Sequence, residues 1–122
     1  MDATSLLHFK TSLQQTRSEL MAQIARAERQ ARVTGEKQSD AADLSTEHLD
    51  REFLFAQADA NRRKLRTIEQ ALSRIAEGTF GECGRCGNEI GGARLSAIPW
   101  APYCVRCQEQ LETWRIADTL AA

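Results

Sequence analysis

Four cysteines stand in two pairs, Cys83-Gly84-Arg85-Cys86 and Cys104-Val105-Arg106-Cys107, with seventeen residues between Cys86 and Cys104. Two residues between paired cysteines let both thiolates of a tight turn point at one ion, and two such turns complete a tetrahedral shell. Gly84 and Gly87 suit turns whose backbone takes unusual angles and approaches a metal closely. The spacing therefore predicts one structural zinc ion (Zn2+) held by Cys83, Cys86, Cys104 and Cys107. Four thiolates leave no open coordination position, so such an ion holds structure and does not activate water. The competing chemistry is a pair of redox dithiols, but no thioredoxin-like strand and helix context surrounds either pair. His8 and His48 lie far from the cysteines in sequence and read as solvated side chains.

Residues 79–122 must build the lobe that positions these ligands. Between the pairs, Ile90, Leu95, Ile98, Pro99 and Trp100 offer a small core around the metal. After Cys107, Leu111, Trp114 and Ile116 predict a short amphipathic helix that folds back on the lobe. About 44 residues bury little apolar surface, so the zinc carries much of this lobe's stability.

Residues 1–78 are of another kind, with no proline and Gly35 as the one glycine before Gly78. Two long helices follow from that. Leu6, Phe9, Leu13, Leu20, Ile24, Ala27 and Ala31 trace one face of the first, which Gly35 is expected to end. Ser45 or Thr46 is expected to cap the second. Leu49, Phe53, Ala56 and Ala60 then mark an apolar face that Leu65, Ile68, Leu72 and Ile75 continue after a phase slip. Gly78 sits where a left-handed C-cap belongs. The expected fold is mainly α: a long antiparallel two-helix coiled-coil hairpin over 1–78, its tip loop near 36–46, joined to a small four-cysteine zinc-finger lobe with a C-terminal helix over 79–122. A bundle completed by dimerisation is the alternative for the helices, and the monomer is the expected state.

Composition narrows the function. The chain has 122 residues, 16 Lys+Arg and 17 Asp+Glu. That balance argues against coating nucleic acid by bulk charge. The apolar runs are far too short for a membrane span, and the first residues resemble no secretory leader. A cytoplasmic protein is expected, in which clustered cysteines are metal ligands or redox thiols before they are disulfides.

The lobe's residues resemble the DksA/TraR family of bacterial transcription regulators. The resemblance rests on Phe80-Gly81-x-Cys83-x-x-Cys86-Gly87, then Ile90-Gly91, Arg94-Leu95, Ala97, Pro99 and Cys104-x-x-Cys107. Upstream, Arg63-Lys64-Leu65 and Ile68-Glu69-x-x-Leu72 are similar to the family's second coiled-coil helix. The resemblance implies a non-enzymatic protein that binds RNA polymerase, inserting the hairpin into the secondary channel so that its tip nears the catalytic centre. It further implies that Asp40-Ala41-Ala42-Asp43-Leu44-Ser45 is the tip, with Asp40 and Asp43 as its carboxylates and Ser45 where alanine is usual. Carboxylates on an exposed turn can reach cations and donors deep in a channel, whereas capping is the bland reading of the same residues. Arg62, Arg63, Lys64 and Arg66 read as a solvated helix face or as stalk contacts to an acidic rim.

In longer members, basic side chains on the second helix and the lobe help to hold guanosine tetraphosphate. Laying the motifs over that pattern puts Thr67, Ile98 and Gln108 at three such places. None is a cation, and Arg66 is one residue away. Little dependence on the alarmone is expected. Two further functions remain open. A zinc-stabilised nucleic-acid-binding module would need a basic recognition helix, and the lobe offers only the scattered Arg85, Arg94, Arg106 and Arg115, so sequence-specific DNA binding is not expected. A thiol-based redox sensor would lose zinc on oxidation of its cysteines.

Overall fold

The computed structural model describes the backbone of residues 1–36 and 41–121, and the side chains of 1–33, 46 and 48–120. Four helices follow in order: α1 (Ala3–Glu36), α2 (Ala41–Glu77), α3 (Gly92–Ala97) and α4 (Val105–Ala121). Among the described residues the one β pairing is an isolated antiparallel bridge between Glu82 and Glu89. The fold is the antiparallel α1–α2 hairpin with a small four-cysteine lobe. No described helix is long and apolar enough to cross a membrane.

The chain forms two compact units, Gln14–Arg66 and Met1–Leu13 with Thr67–Ala122. In the first, α1 buries Leu20, Ile24 and Ala31 and half-buries Ala27, on the expected stripe. The facing stripe of α2 differs from expectation. Leu49 and Phe53 are 65% and 67% exposed, and Ala56 and Ala60 are exposed with them. The buried positions are Ala58, fully, with Leu54 and Asn61 partly. Counting back from Ile68 by threes and fours gives Leu65, Asn61, Ala58 and Leu54, so one unbroken phase runs along α2 and there is no slip. Small side chains at Ala27, Ala31 and Ala58 allow a close helix approach, and helix spacing varies with contact side chains. Arg62 of α2 pairs with Glu28 of α1 and with Asp59, at 3.0 Å, on its own helix.

The helix ends also move. α1 runs through Gly35 to Glu36, and α2 begins at Ala41, so Asp43, Ser45 and Thr46 lie inside α2 and neither Ser45 nor Thr46 caps it. Ala41 and Ala42, strong helix formers, extend the helix upstream, and one Gly costs only about 1 kcal/mol against a long packed stripe. At the start of α1, Asp2 caps: its Oδ1 accepts from the Ser5 N–H at 2.7 Å, a bond that holds the carboxyl below its usual range. At the end of α2, Gly78 adopts φ +82, and Thr79 N–H donates to Arg74 O at 2.9 Å while Gly78 N–H reaches Ile75 O at 3.3 Å. This is a Schellman cap, as Gly78 led one to expect.

In the second unit, Cys83, Ile90, Leu95, Ala101 and Cys107 form the core, with Phe9, Phe80, Ile98, Tyr103 and Cys104 packed against it. Phe9 and Phe80 pack with ring centroids 5.4 Å apart and planes tilted by 50°, so the first turns of α1 close over the lobe. α4 departs from expectation. It packs through Cys107 and the half-buried Leu111, but Trp114 and Ile116 are 57% and 60% exposed and do not fold back into the core. Trp114 instead lies under the Arg85 guanidinium, 4.5 Å from its centroid.

Candidate metal centre

The first cysteine pair sits on a turn between the two residues of the Glu82–Glu89 bridge. Cys83 N–H donates to Asn88 O at 2.7 Å, Gly87 N–H returns to Cys83 O at 3.0 Å, and Ile90 N–H reaches Gly81 O at 2.8 Å. Gly87 has φ +78, a conformation that side-chain-bearing residues rarely adopt, and it lets the turn close behind Cys86. Inside the turn, Arg85 N–H points at Cys83 Sγ at 3.5 Å.

The second pair is carried by the start of α4. Cys104 precedes the helix and its carbonyl accepts from Gln108 N–H at 2.9 Å, and Cys107 falls in the first turn. The positive end of the helix dipole therefore lies beside two thiols that must be anionic to bind metal. Three hydrogen bonds fix the approach to Cys104. Gly84 N–H and Arg74 Nη1 both donate to Pro102 O, at 2.9 and 3.2 Å, and Arg94 Nε donates to Tyr103 O at 2.9 Å. A Cβ at Gly84 would stand 2.7 Å from the Arg74 guanidinium, so a side chain there would push that flexible group aside and disturb its bond to Pro102 O.

All four Sγ atoms lie within 4.8 Å of one another. Cys83 and Cys107 are buried, Cys104 is half-buried and Cys86 is exposed. The Cys86 to Cys104 Sγ distance is 3.9 Å, against about 3.8 Å for the edge of a tetrahedron built on Zn–S bonds of about 2.3 Å. Burial pushes the Cys83 thiol up, but backbone N–H groups of Cys86, Cys104 and Arg85 outweigh it and bring the thiol down to about 6. Burial, contacts with the other three sulfurs and the nearby Cys104 charge push Cys107 up to about 12. One thiolate is thus favoured and a second is resisted, the conflict that a divalent cation at the centre of four sulfurs removes. The donor set fits zinc, and the closed shell leaves the ion structural.

The other anticipated residues are distributed elsewhere. Asp40 lies outside the described residues, and Asp43 and Ser45 are on α2 with their side chains outside them. Arg63 and Arg66 are exposed, Lys64 is half-buried, and Arg62 is engaged by Glu28 and Asp59. His8 is exposed, edge-on to Phe9, and His48 is exposed and pairs with Glu52 at 3.1 Å. The roles of Arg74, Arg94 and Asn88 O in shaping the metal turns went unread. A lone arginine or a backbone carbonyl carries no local signature of a contact 28 residues away, as between Arg74 and Pro102.

Comparison with known proteins agrees with this geometry. Residues 78–112 match the prokaryotic dksA/traR C4-type zinc finger family. The chain is 31% identical over 112 residues to the RNA polymerase-binding transcription factor DksA of Caulobacter vibrioides, covering 92% of this chain and 79% of that one. An uncharacterized Aquifex aeolicus protein is 54% identical over 48 residues, which are 39% of this chain and 33% of that protein. Among solved structures, transcription factor DksA2 from Pseudomonas aeruginosa superposes with a TM-score of 0.82 at 31% identity, covering 94% of this chain and 88% of that chain. The four-cysteine centre, the helical hairpin and the likeness along most of the chain establish it as a member of the DksA/TraR family, with a structural zinc.

Proposed function

We propose that this chain is a non-enzymatic, cytoplasmic transcription regulator that binds RNA polymerase as a monomer, enters its secondary channel hairpin first and alters the lifetime of promoter complexes. The observation that carries the reading is one chain-long match: a hairpin and a four-cysteine lobe shared, at 31% identity over 92% of the chain, with a DksA whose name records polymerase binding. Cys83, Cys86, Cys104 and Cys107 hold the zinc that rigidifies the lobe. Asp40, Asp43 and Ser45 act at the tip, where two carboxylates meet cations or donors of the polymerase.

The lobe's arginines support protein binding over DNA reading. Arg85 is held by Gln110 Oε1 at 2.6 Å and by Trp114, and Arg94 by Tyr103 O, so two of the four cations serve the fold. The alarmone contributes little. Ile98 packs against the core, and Gln108 Nε2 donates to the Glu112 carboxylate at 3.1 Å, which sets an acid beside a position where a phosphate would need a cation. A thiol-sensing role can coexist with this one, since Cys86 is exposed with its sulfur 3.9 Å from that of Cys104.

In vitro transcription tests the reading. Asp43→Asn is expected to keep polymerase binding within about a few-fold, because contacts away from the tip hold the hairpin, and to abolish the effect on promoter complexes. Titrating guanosine tetraphosphate in the same assay is expected to change that effect little. A mutant that regulates as well as the parent removes the tip carboxylate from the mechanism, and strong synergy lost in Arg66→Ala overturns alarmone independence.

A further inference from the structure

Within the Gln14–Arg66 unit, α2 turns Leu54, Ala58 and Asn61 inward. The opposite face carries Leu49 and Phe53, four residues apart and 65% and 67% exposed, then the exposed Ala56 and Ala60. Residues at this spacing lie one above another on a helix, so the four make a continuous apolar stripe about 16 Å long. On α1 of the same unit, Met21 and Val33 are exposed too, at 54% and 47%, but stand singly, as scattered surface apolar groups ordinarily do. Seven residues past Ala56, the face reaches the exposed Arg63, with Lys64 and Arg66 at its edges.

We infer that this face of α2 docks the hairpin onto RNA polymerase, with Leu49 and Phe53 entering an apolar groove and Arg63 meeting carboxylates about 15 Å along it from Phe53. The inference rests on the polymerase-binding reading above and says which surface supplies the affinity. It moves the main hold from the basic run to the apolar residues nearer the tip. Charge and area decide the kind of partner. Asp50 and Glu52 flank the apolar part, where an anionic lipid surface would require lysines and arginines. A nucleic acid would meet those same carboxylates first. For a second copy of this chain, the stripe offers on the order of 300 Å² per partner, well short of the roughly 800 Å² of a stable interface. A small apolar anchor followed by cations suits a larger partner that gains area elsewhere along the hairpin.

The test measures binding of the full-length, zinc-loaded chain to core RNA polymerase. Phe53→Ala and Leu49→Ala are each expected to weaken binding by about 30-fold, Phe53→Leu much less, and the control Met21→Ala not at all. Circular dichroism is expected to match the parent in every variant, because none of these side chains is buried. If the parent binds and both alanine variants bind equally well, the docking face is wrong while the polymerase reading stands. If the parent itself does not bind, the polymerase reading falls and takes this face with it. A dimer in sedimentation that Phe53→Ala dissolves assigns the face to a second copy and overturns the inference.

Discussion

Removing zinc should unfold the lobe and leave the rest of the hairpin helical. The fully covered aliphatic side chains of the lobe are Ile90 and Leu95, 7% and 2% exposed, with Ala101 beside them. Two such side chains contribute about 3–6 kcal/mol of transfer energy. Structural zinc on four thiolates contributes about 10–16 kcal/mol of apparent binding energy, which is folding energy where no site exists in the open chain. The metal is therefore the larger part, and without it the ordering of this segment is not compensated. α3 and α4 have 6 and 17 residues against 34 and 37 in α1 and α2, so about a quarter of the helical signal is at stake. A strong chelator at neutral pH should lower the far-UV ellipticity by about that fraction and erase the near-UV signal of Trp100 and Tyr103, and one equivalent of zinc should restore both. Cys104→Ser should give the chelated spectrum. Unchanged spectra in protein that elemental analysis shows to be zinc-free would mean that Ile90 and Leu95 hold the lobe without metal.

The same sulfurs set a pH dependence. Cys107, held up to about 12, takes a proton in competition with zinc at any pH near neutrality, whereas Cys83 stays ionised until the pH falls to about 6. Acid therefore favours the metal-free form, and chelator competition across pH should show affinity falling by about a further factor of ten per pH unit once Cys83 also titrates. Leu95→Ala removes a 2% exposed side chain from the core and should cost about 2–5 kcal/mol, read as easier zinc loss to a chelator and a lower melting temperature of the lobe alone.

The metal turns were legible because coordination chemistry dictates ligand type and spacing together. A four-thiolate shell needs Cys83 with Cys86 and Cys104 with Cys107, and little else in a chain reads that way. α1 was legible because its buried residues include Leu13, Leu20 and Ile24, large side chains at helical steps. The first half of α2 is not legible, for the converse reason. Its core position is Ala58, while the larger Leu49 and Phe53 stand outside, and size drew the stripe to the wrong face. A periodicity argument assumes that large apolar groups are buried, and it fails where they stand exposed. The start of α2 was misplaced because Ser45 and Thr46 are good caps, yet capping preference is local and Ala41 and Ala42 extend the helix past it. The Phe9–Phe80 contact has no sequence signal at all, since it joins residues that meet only after the hairpin returns.

A zinc-braced hairpin seated in the polymerase secondary channel would compete with any other occupant of that channel. The most direct measurement is a pull-down with purified core RNA polymerase, with and without a competitor that fills that channel. Capture of the chain by core polymerase, lost when the channel is occupied, is the expected result. Capture that persists undiminished with the channel filled would contradict it.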